Sequence, residues 1–175
     1  MELKNFDNII SRVPKLSSPL RVVLAGSDGE NMLQGVFQAQ KEGFVQPVLV
    51  GDRARTMVQL EKLGLDKEPY TMVDTPPGHN VTQAAIDIIH SGDGDILMRG
   101  NLPTRDFLMP VLDRKNGLRT DRFMSHVSLD SIPEYPKLLA LSDMTVIVNP
   151  NPTQKRAIIK NTADALKAFG YENPK

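Results

Sequence analysis

The chain contains no cysteine. That absence excludes disulfides, thiolate metal sites and a cysteine nucleophile, while leaving the compartment open. There is no excess of charge either: Lys plus Arg and Asp plus Glu number 21 each, so net charge offers no attraction to nucleic acid or an anionic membrane. Long apolar runs are missing too. None approaches the ~18 residues needed to span a bilayer, and the N-terminal MELKNFDNIISRVPK lacks the apolar core of a signal peptide. These absences point to a soluble, cytoplasmic chain. His79 and His90 have no second ligand at metal spacing, so no metal site is expected.

What is present suffices for a core. The 175 residues, 40% hydrophobic and 24% charged, can build one large domain or a tight pair of lobes, with a change of lobe between 95 and 150. Leu3, Phe6, Ile9, Ile10 and Val13 fall at helical spacing before Pro14, which predicts a packing helix over 3–13. A strand over 20–25 then meets Gly26-Ser27-Asp28-Gly29, and Asn31 or Asp28 is expected to cap a helix carrying Met32, Leu33, Val36, Phe37 and Ala39. Strand, glycine turn and helix resemble a dinucleotide-binding unit. GxxG is not GxGxxG, however, and a βα turn that needs glycine is the better account of it. A strand at 46–50, a helix at 53–63, a strand at 70–73 and an Asn80-capped helix bearing Val81, Ala84, Ala85, Ile88 and Ile89 follow. Repeated alternation of this kind predicts an α/β fold with a largely parallel sheet flanked by helices.

The stretch 95–126, DILMRGNLPTRDFLMPVLDRKNGLRTDRFMSH, is the most informative. Ile96-Leu97-Met98 reads as a short buried strand ending in Arg99-Gly100-Asn101. Thr104 opens a helix through Phe107 to Leu112, a basic turn passes Arg119, and a strand-like run carries Ser125 and His126. In open parallel sheets, ligands bind beyond the carboxyl ends of strands, where glycine admits close approach and helix N-termini face anions. Further on, 123–132 reads as an edge or antiparallel strand, 137–141 and 144–148 as two more. A helix then starts at Asn151 or Thr153 with Ile158, Ile159, Thr162, Ala165, Leu166 and Phe169 on one face, closed by Gly170.

ILMRGNLPT, GLRT and MSHV, followed by LLALSDMTVIVNP and KRAIIKNTADALKAFGYENPK, resemble the phosphate acetyl/butyryltransferases, the butyryltransferase branch more closely. The resemblance runs from Val22 to the last residue. It implies an isocitrate/isopropylmalate dehydrogenase-like fold and transfer of a short acyl group between coenzyme A and inorganic phosphate, with coenzyme A as substrate and no bound cofactor. It also implies that this chain is the N-terminal portion of a longer enzyme, incomplete and inactive alone, whose family base for the thiol lies in the second half. An incomplete enzyme exposes apolar surface, so homo-oligomerisation or pairing with the missing half is expected, and sedimentation across concentrations would detect the former.

Acyl transfer to phosphate needs an anion cradle, oxyanion stabilisation and a proton carrier. Arg99, Arg105 and Arg119 suit bidentate phosphate contacts, Gly100 permits backbone approach, and Thr104 and Ser125 offer hydroxyls. Lys155, in the first turn of the last helix, disfavours the helix dipole unless an anion joins it. His126 belongs to the one residue type that changes charge near neutral pH and is the candidate catalytic residue, with a backbone-bonded structural histidine as the equal alternative. Ser27, Asp28, Asp143 and Asn161 form a second rank. One departure stands out: Met109 occupies a position where the family carries arginine, with Arg105 one turn earlier. Two other readings stay open. One is a non-catalytic scaffold half that binds phosphate or acyl-CoA. The other is the acetyl phosphate-forming subunit of a glycine reductase system.

Overall fold

The structure, a computed structural model, describes residues 5–11, 18–171 and 174. In chain order the elements are α1 (Phe6–Ile10), β1 (Leu20–Ala25), α2 (Glu30–Lys41), β2 (Val45–Gly51), α3 (Arg53–Leu63), β3 (Thr71–Asp74), α4 (Val81–His90), β4 (Ile96–Arg99), α5 (Thr104–Val111), β5 (Ser128–Ser131), β6 (Leu138–Leu141) and α6 (Pro152–Ala168). They fall into two compact units, one of Lys15–Arg119 and the other of Met1–Pro14 with Thr120–Lys175.

The first unit is a parallel sheet in the order β3-β2-β1-β4. Consecutive residues of a strand point to opposite faces, and the central strand separates two clusters accordingly. Val22 and Leu24 join Leu33, Val36, Phe37, Leu49, Leu60 and Leu65 on the α2/α3 face. Val23 and Ala25 join Val48, Val50 and Ala85 on the α4 face. Burial on both faces is why β1 and β2 carry continuous apolar runs over 22–25 and 47–50. The expected α/β fold with parallel strands is thus present. The run at 96–98 differs from expectation: β4 is an edge strand with no further strand paired to its outer side among the described residues, and Ile96 is 41% exposed.

Helix ends follow their side chains. Asn80 Oδ1 accepts from Gln83 N at 3.0 Å, as its position before α4 predicts. Asp52 does the same for Arg55 N at 3.0 Å, and Gly64 closes α3 at φ 67°, a left-handed turn that suits glycine. At α2 neither Asn31 nor Asp28 is the cap. Gly29 occupies that position and makes no side-chain cap bond, since the helix starts between the two expected residues.

The edge is tied down by Arg21 and Asp95. Asp95 accepts from Arg21 N at 2.8 Å, Nε at 3.0 Å and Nη2 at 2.9 Å. The side-chain bonds from Arg21, then its backbone N–H, hold the Asp95 carboxyl down at about 2. A depressed carboxylate contributes stability that is present above its unfolded value and lost as pH falls through the folded one. The Tm advantage over Asp95→Asn is therefore expected to shrink between about pH 4 and pH 2. Thermal melts in which that advantage stays constant with pH would rule this out.

In the second unit, β5 and β6 pair antiparallel, with Ser128 opposite Leu141 and Ser131 opposite Leu138. The strand expected over 123–132 is thus confined to 128–131, and Ser125 and His126 precede it. The strand expected at 144–148 does not form. The Asp143 carboxylate accepts from Thr145 N, Val146 N and Ile147 N at 2.9–3.2 Å, so these amides turn around a side chain and are withdrawn from any ladder. α6 opens with a capping box in which Asn151 and Gln154 bond each other's backbone N–H, with Pro152 in the first turn. Gly170 follows its end at φ 94°, as expected. Ile158 is buried on its apolar face, but Ile159 is 68% exposed, because successive residues on a helix diverge by about 100°. α1 occupies 6–10 with Phe6 and Ile10 roughly half exposed. Leu3, Val13 and Pro14 of the expected helix lie outside the described residues.

Candidate functional site

The carboxyl edge of the parallel sheet gathers the turns after β1, β2, β3 and β4. Arg99, the last residue of β4, is exposed and curls over its own loop, its Nη1 donating to Leu102 O at 2.8 Å and to Thr104 Oγ1 at 3.3 Å. One guanidinium nitrogen therefore organises the turn into α5. Gly100 sits directly on the preceding turn. Its N–H donates to Ala25 O at 2.8 Å, and a Cβ here would press into the Gly26 carbonyl. Its missing side chain is explained by strand-turn packing before any ligand is considered.

Thr104 begins α5, and Arg105 follows in the same turn, both exposed. A cavity of about 460 Å³ opens beside this helix, lined by Arg105, Met109 and Pro110 together with His79, Val81 and Leu102. Met109 is 63% exposed along it. One contact explains how the helix tolerates Pro110. Proline has no N–H to give the carbonyl four residues back, and Thr82 Oγ1 of α4 supplies that donor to Asp106 O at 3.1 Å. Arg119, at the end of this unit, is exposed.

A smaller cavity of about 200 Å³ lies among the first three turns, with Gly26, Ser27, Asp28, Gly51, Asp52, Arg55, Thr75 and the loop after it in its wall. Ser27 is 1% exposed, and its hydroxyl bonds the Thr56 hydroxyl at 2.9 Å. Sequence reasoning placed Ser27 and Asp28 in the second rank and passed over Thr75 and His79, which line cavities without any motif to mark them.

In the second unit the candidates form their own cluster. Asn161 Nδ2 donates to Ser125 Oγ at 2.9 Å and to Phe123 O at 2.8 Å, so the mid-helix asparagine fixes the segment that holds Ser125. Because Ser125 Oγ accepts there, its own hydrogen remains available to donate. His126 Nδ1 is buried with no hydrogen-bond partner among the described residues, while its carbonyl accepts from Ser142 Oγ. At Asp143, burial pushes the carboxyl upward, but backbone N–H groups of Val146, Thr145, His126 and Ile147 outweigh it and hold the group below the ordinary carboxylate range. Lys155 lies exposed in the first turn of α6. The candidates are thus distributed over both units: Ser27, Asp28, Arg99, Gly100, Thr104, Arg105 and Arg119 on the first, Ser125, His126, Asp143, Lys155 and Asn161 on the second.

Among the described residues no helix is long and apolar enough to cross a membrane, and no group of three His, Cys, Asp or Glu could hold a metal ion.

Comparison with known proteins points one way. Residues 77–175 match the family described as Phosphate acetyl/butaryl transferase. The phosphate butyryltransferase of Clostridium acetobutylicum is 32% identical over 173 residues, which cover 99% of this chain and 57% of that protein. The phosphate acetyltransferase of Thermotoga maritima is 28% identical over 155 residues, 89% of this chain and 52% of that one. The chain spans little more than half the length of these curated relatives. Among solved structures, a phosphotransacetylase from Streptococcus pyogenes superposes with a TM-score of 0.76 at 16% identity, covering 96% of this chain and 60% of that one. A branched-chain phosphotransacylase from Enterococcus faecalis gives 0.72 at 24% identity, over 89% and 54% respectively; likeness at these identities establishes the shared fold. With its matched segment and a similarity to curated members that runs over 99% of its own residues, the chain belongs to the phosphate acetyl/butyryltransferase family.

Proposed function

We propose that the chain supplies the phosphate-handling part of an enzyme that moves a short acyl group between coenzyme A and inorganic phosphate. In that reaction a phosphate oxygen bonds to the thioester carbonyl carbon, the carbon–sulfur bond breaks, and coenzyme A leaves with the electron pair and takes up a proton. The products are acyl phosphate and free thiol.

The observation that carries this reading is the Arg99 turn. Its guanidinium is pinned to Leu102 O and Thr104 Oγ1 at the carboxyl end of a parallel strand, immediately before a helix whose first turn carries Arg105. The held guanidinium of Arg99, the exposed one of Arg105 and the uncapped amides of α5 offer positive groups of the kind that bind phosphate, with Asp106 of the same turn as the one opposing charge. Met109 and Pro110 continue the cavity with apolar surface suited to an acyl chain. Ser125, fixed by Asn161 with its hydrogen free, is assigned as a donor to an anionic oxygen, and His126 as the candidate proton carrier. Arg119 and Lys155 are assigned to the long-range attraction of anionic substrates.

Inorganic phosphate titrated into the 175-residue chain and followed by ³¹P NMR is expected to bind saturably, with Arg99→Gln weakening binding by about tenfold or more. Turnover of butyryl-CoA or acetyl-CoA would be followed by thiol release, with the chain alone and with the C-terminal portion of a relative added. Absence of saturable phosphate binding, or binding indifferent to Arg99, would remove the basis of the assignment.

A further inference from the structure

The antiparallel pair in the second unit stops just short of the candidate histidine. β5 and β6 are in register from Ser131 opposite Leu138 to Ser128 opposite Leu141. Carried two residues further, that register would set 126 opposite 143, but the strands end at 128 and 141. Side chains take over there. Ser142 Oγ donates to His126 O, and the Asp143 carboxylate draws on the His126 N–H. Both backbone groups that a ladder would pair at residue 126 are thus held by two consecutive side chains.

The segment leading to it is held in the same manner. Residues 123–126 belong to no helix or strand. Phe123 and Met124 are 46% and 40% exposed, so apolar burial does not anchor them. Asn161 does, through Phe123 O and the Ser125 hydroxyl. Three side chains therefore fix four residues of irregular backbone, which is the support a preorganised site requires. The His126 ring shows what is presented. It is half-buried, its Nδ1 is enclosed without a partner, and the ring makes no hydrogen bond among the described residues. Leaving a polar atom in that state is costly, and a residue free to shift would turn it to water. Residue 126 is tied at both its N–H and its C=O, and proton exchange with a ligand is left to Nε2.

We infer that Ser142 is a positioning residue, its hydroxyl fixing the backbone of His126 so that Nε2 is presented to a substrate. The inference rests on the assignment of His126 as the proton carrier of acyl transfer, and Ser142 acts through that histidine. Its hydroxyl makes this one bond among the described residues. Asp143 acts on the same residue but also organises 145–147, so Ser142 is the more selective position to change.

The test is NMR of the His126 ring in the full chain, its signal identified by its absence from His126→Gln. In the wild type that signal is expected to be single and to shift saturably as butyryl-CoA is added. Ser142→Ala is expected to broaden or split it in the free chain and to reduce the saturating shift several-fold. Ser142→Thr keeps the hydroxyl and is expected to restore both. Amide-exchange protection of β5 and β6 is expected to persist in both variants, which separates lost positioning from lost folding. A Ser142→Ala chain whose ring signal and response match the wild type would overturn the inference. So would equal loss in the Ala and Thr variants, or loss accompanied by unprotected β5 and β6, either of which makes Ser142 structural only. A wild-type ring indifferent to butyryl-CoA would take His126 out of the transfer reaction, and Ser142 with it. Phosphate binding has its own readout. A His126 that responds to butyryl-CoA in a chain that binds no phosphate would count against the Arg99 assignment and still support that of Ser142.

Discussion

Gly100→Ala is expected to destabilise the first unit by about 3 kcal/mol and to displace the Arg99 turn. The added carbon would press into the Gly26 carbonyl and lie 2.9 Å from Ala25 O. Both obstacles are backbone of the central strand and its turn, held in place by Gly100 N to Ala25 O and Asn101 N to Gly26 O at 2.8 Å each. A flexible side chain would swing aside, but two hydrogen-bonded backbones cannot part without breaking the bonds that join β4's turn to β1's. Gly35 provides the internal control. It lies exposed in the middle of α2 with nothing within 4 Å of its missing Cβ, so Gly35→Ala should stabilise by about 0.5–1 kcal/mol through helix propensity. Chemical denaturation of the two variants should therefore give opposite signs. The ³¹P titration should show phosphate binding lost in Gly100→Ala and kept in Gly35→Ala. If Gly100→Ala melts with the wild type, the close packing of the two turns is not what the glycine is for.

The contrast between these glycines explains what was legible beforehand. A sequence announces that glycine follows a strand. It does not announce whether the missing side chain makes room for a ligand or for another turn, because that depends on strand order. β1 and β4 are 76 residues apart at their starts, Leu20 and Ile96, and become neighbours only because the chain crosses back over β1. Strand and helix periodicity, and caps such as Asn80 and Asn151, are local properties and were readable. The edge position of β4 is a topological property and was not: Ile96-Leu97-Met98 has the composition of a buried strand and half the neighbours.

The same division applies to the candidate residues. Arg99 was recognisable as a cation at a strand end, but its bonds to Leu102 O and Thr104 Oγ1 depend on how the following turn folds. Asn161 was recognisable as a polar residue beside an apolar face. Its pairing with Ser125 spans 36 residues and joins two positions selected for separate reasons. Thr75 and Thr82 were passed over because an isolated threonine before a proline, or early in a helix, has no spacing to recognise. One matters because its hydroxyl is buried and unpaired, the other because it repairs the gap left by Pro110, and both facts exist only in three dimensions.

Asp143 gives the other large effect, and its failure to act as a strand residue is the reason. Replacement by Ala should cost about 3 kcal/mol, since removing a charged acceptor leaves several amides without a partner and water can reach only some of them. Thr145 is exposed, whereas Val146 and Ile147 are half-buried. Asn keeps one acceptor oxygen and should lose roughly half as much. The pH dependence has a definite sign. Backbone donors overcome burial and depress the carboxyl, so the carboxylate's contribution is complete above its unfolded value and fades as pH falls through the folded one. The gap between wild type and Asp143→Asn should accordingly narrow on acidification. Because the chain has two units, a single unfolding curve would average them, and hydrogen exchange resolves the effect better. Protection should fall in Asp143→Ala at 144–148 and around His126, whose backbone N–H the carboxylate also binds, while β1 and β2 keep theirs. Loss of protection spread evenly over both units, or a variant within about 0.5 kcal/mol of wild type, would show that the carboxylate does not hold this segment. Retained protection at 144–148 with loss at His126 alone would confine its role to positioning the candidate histidine.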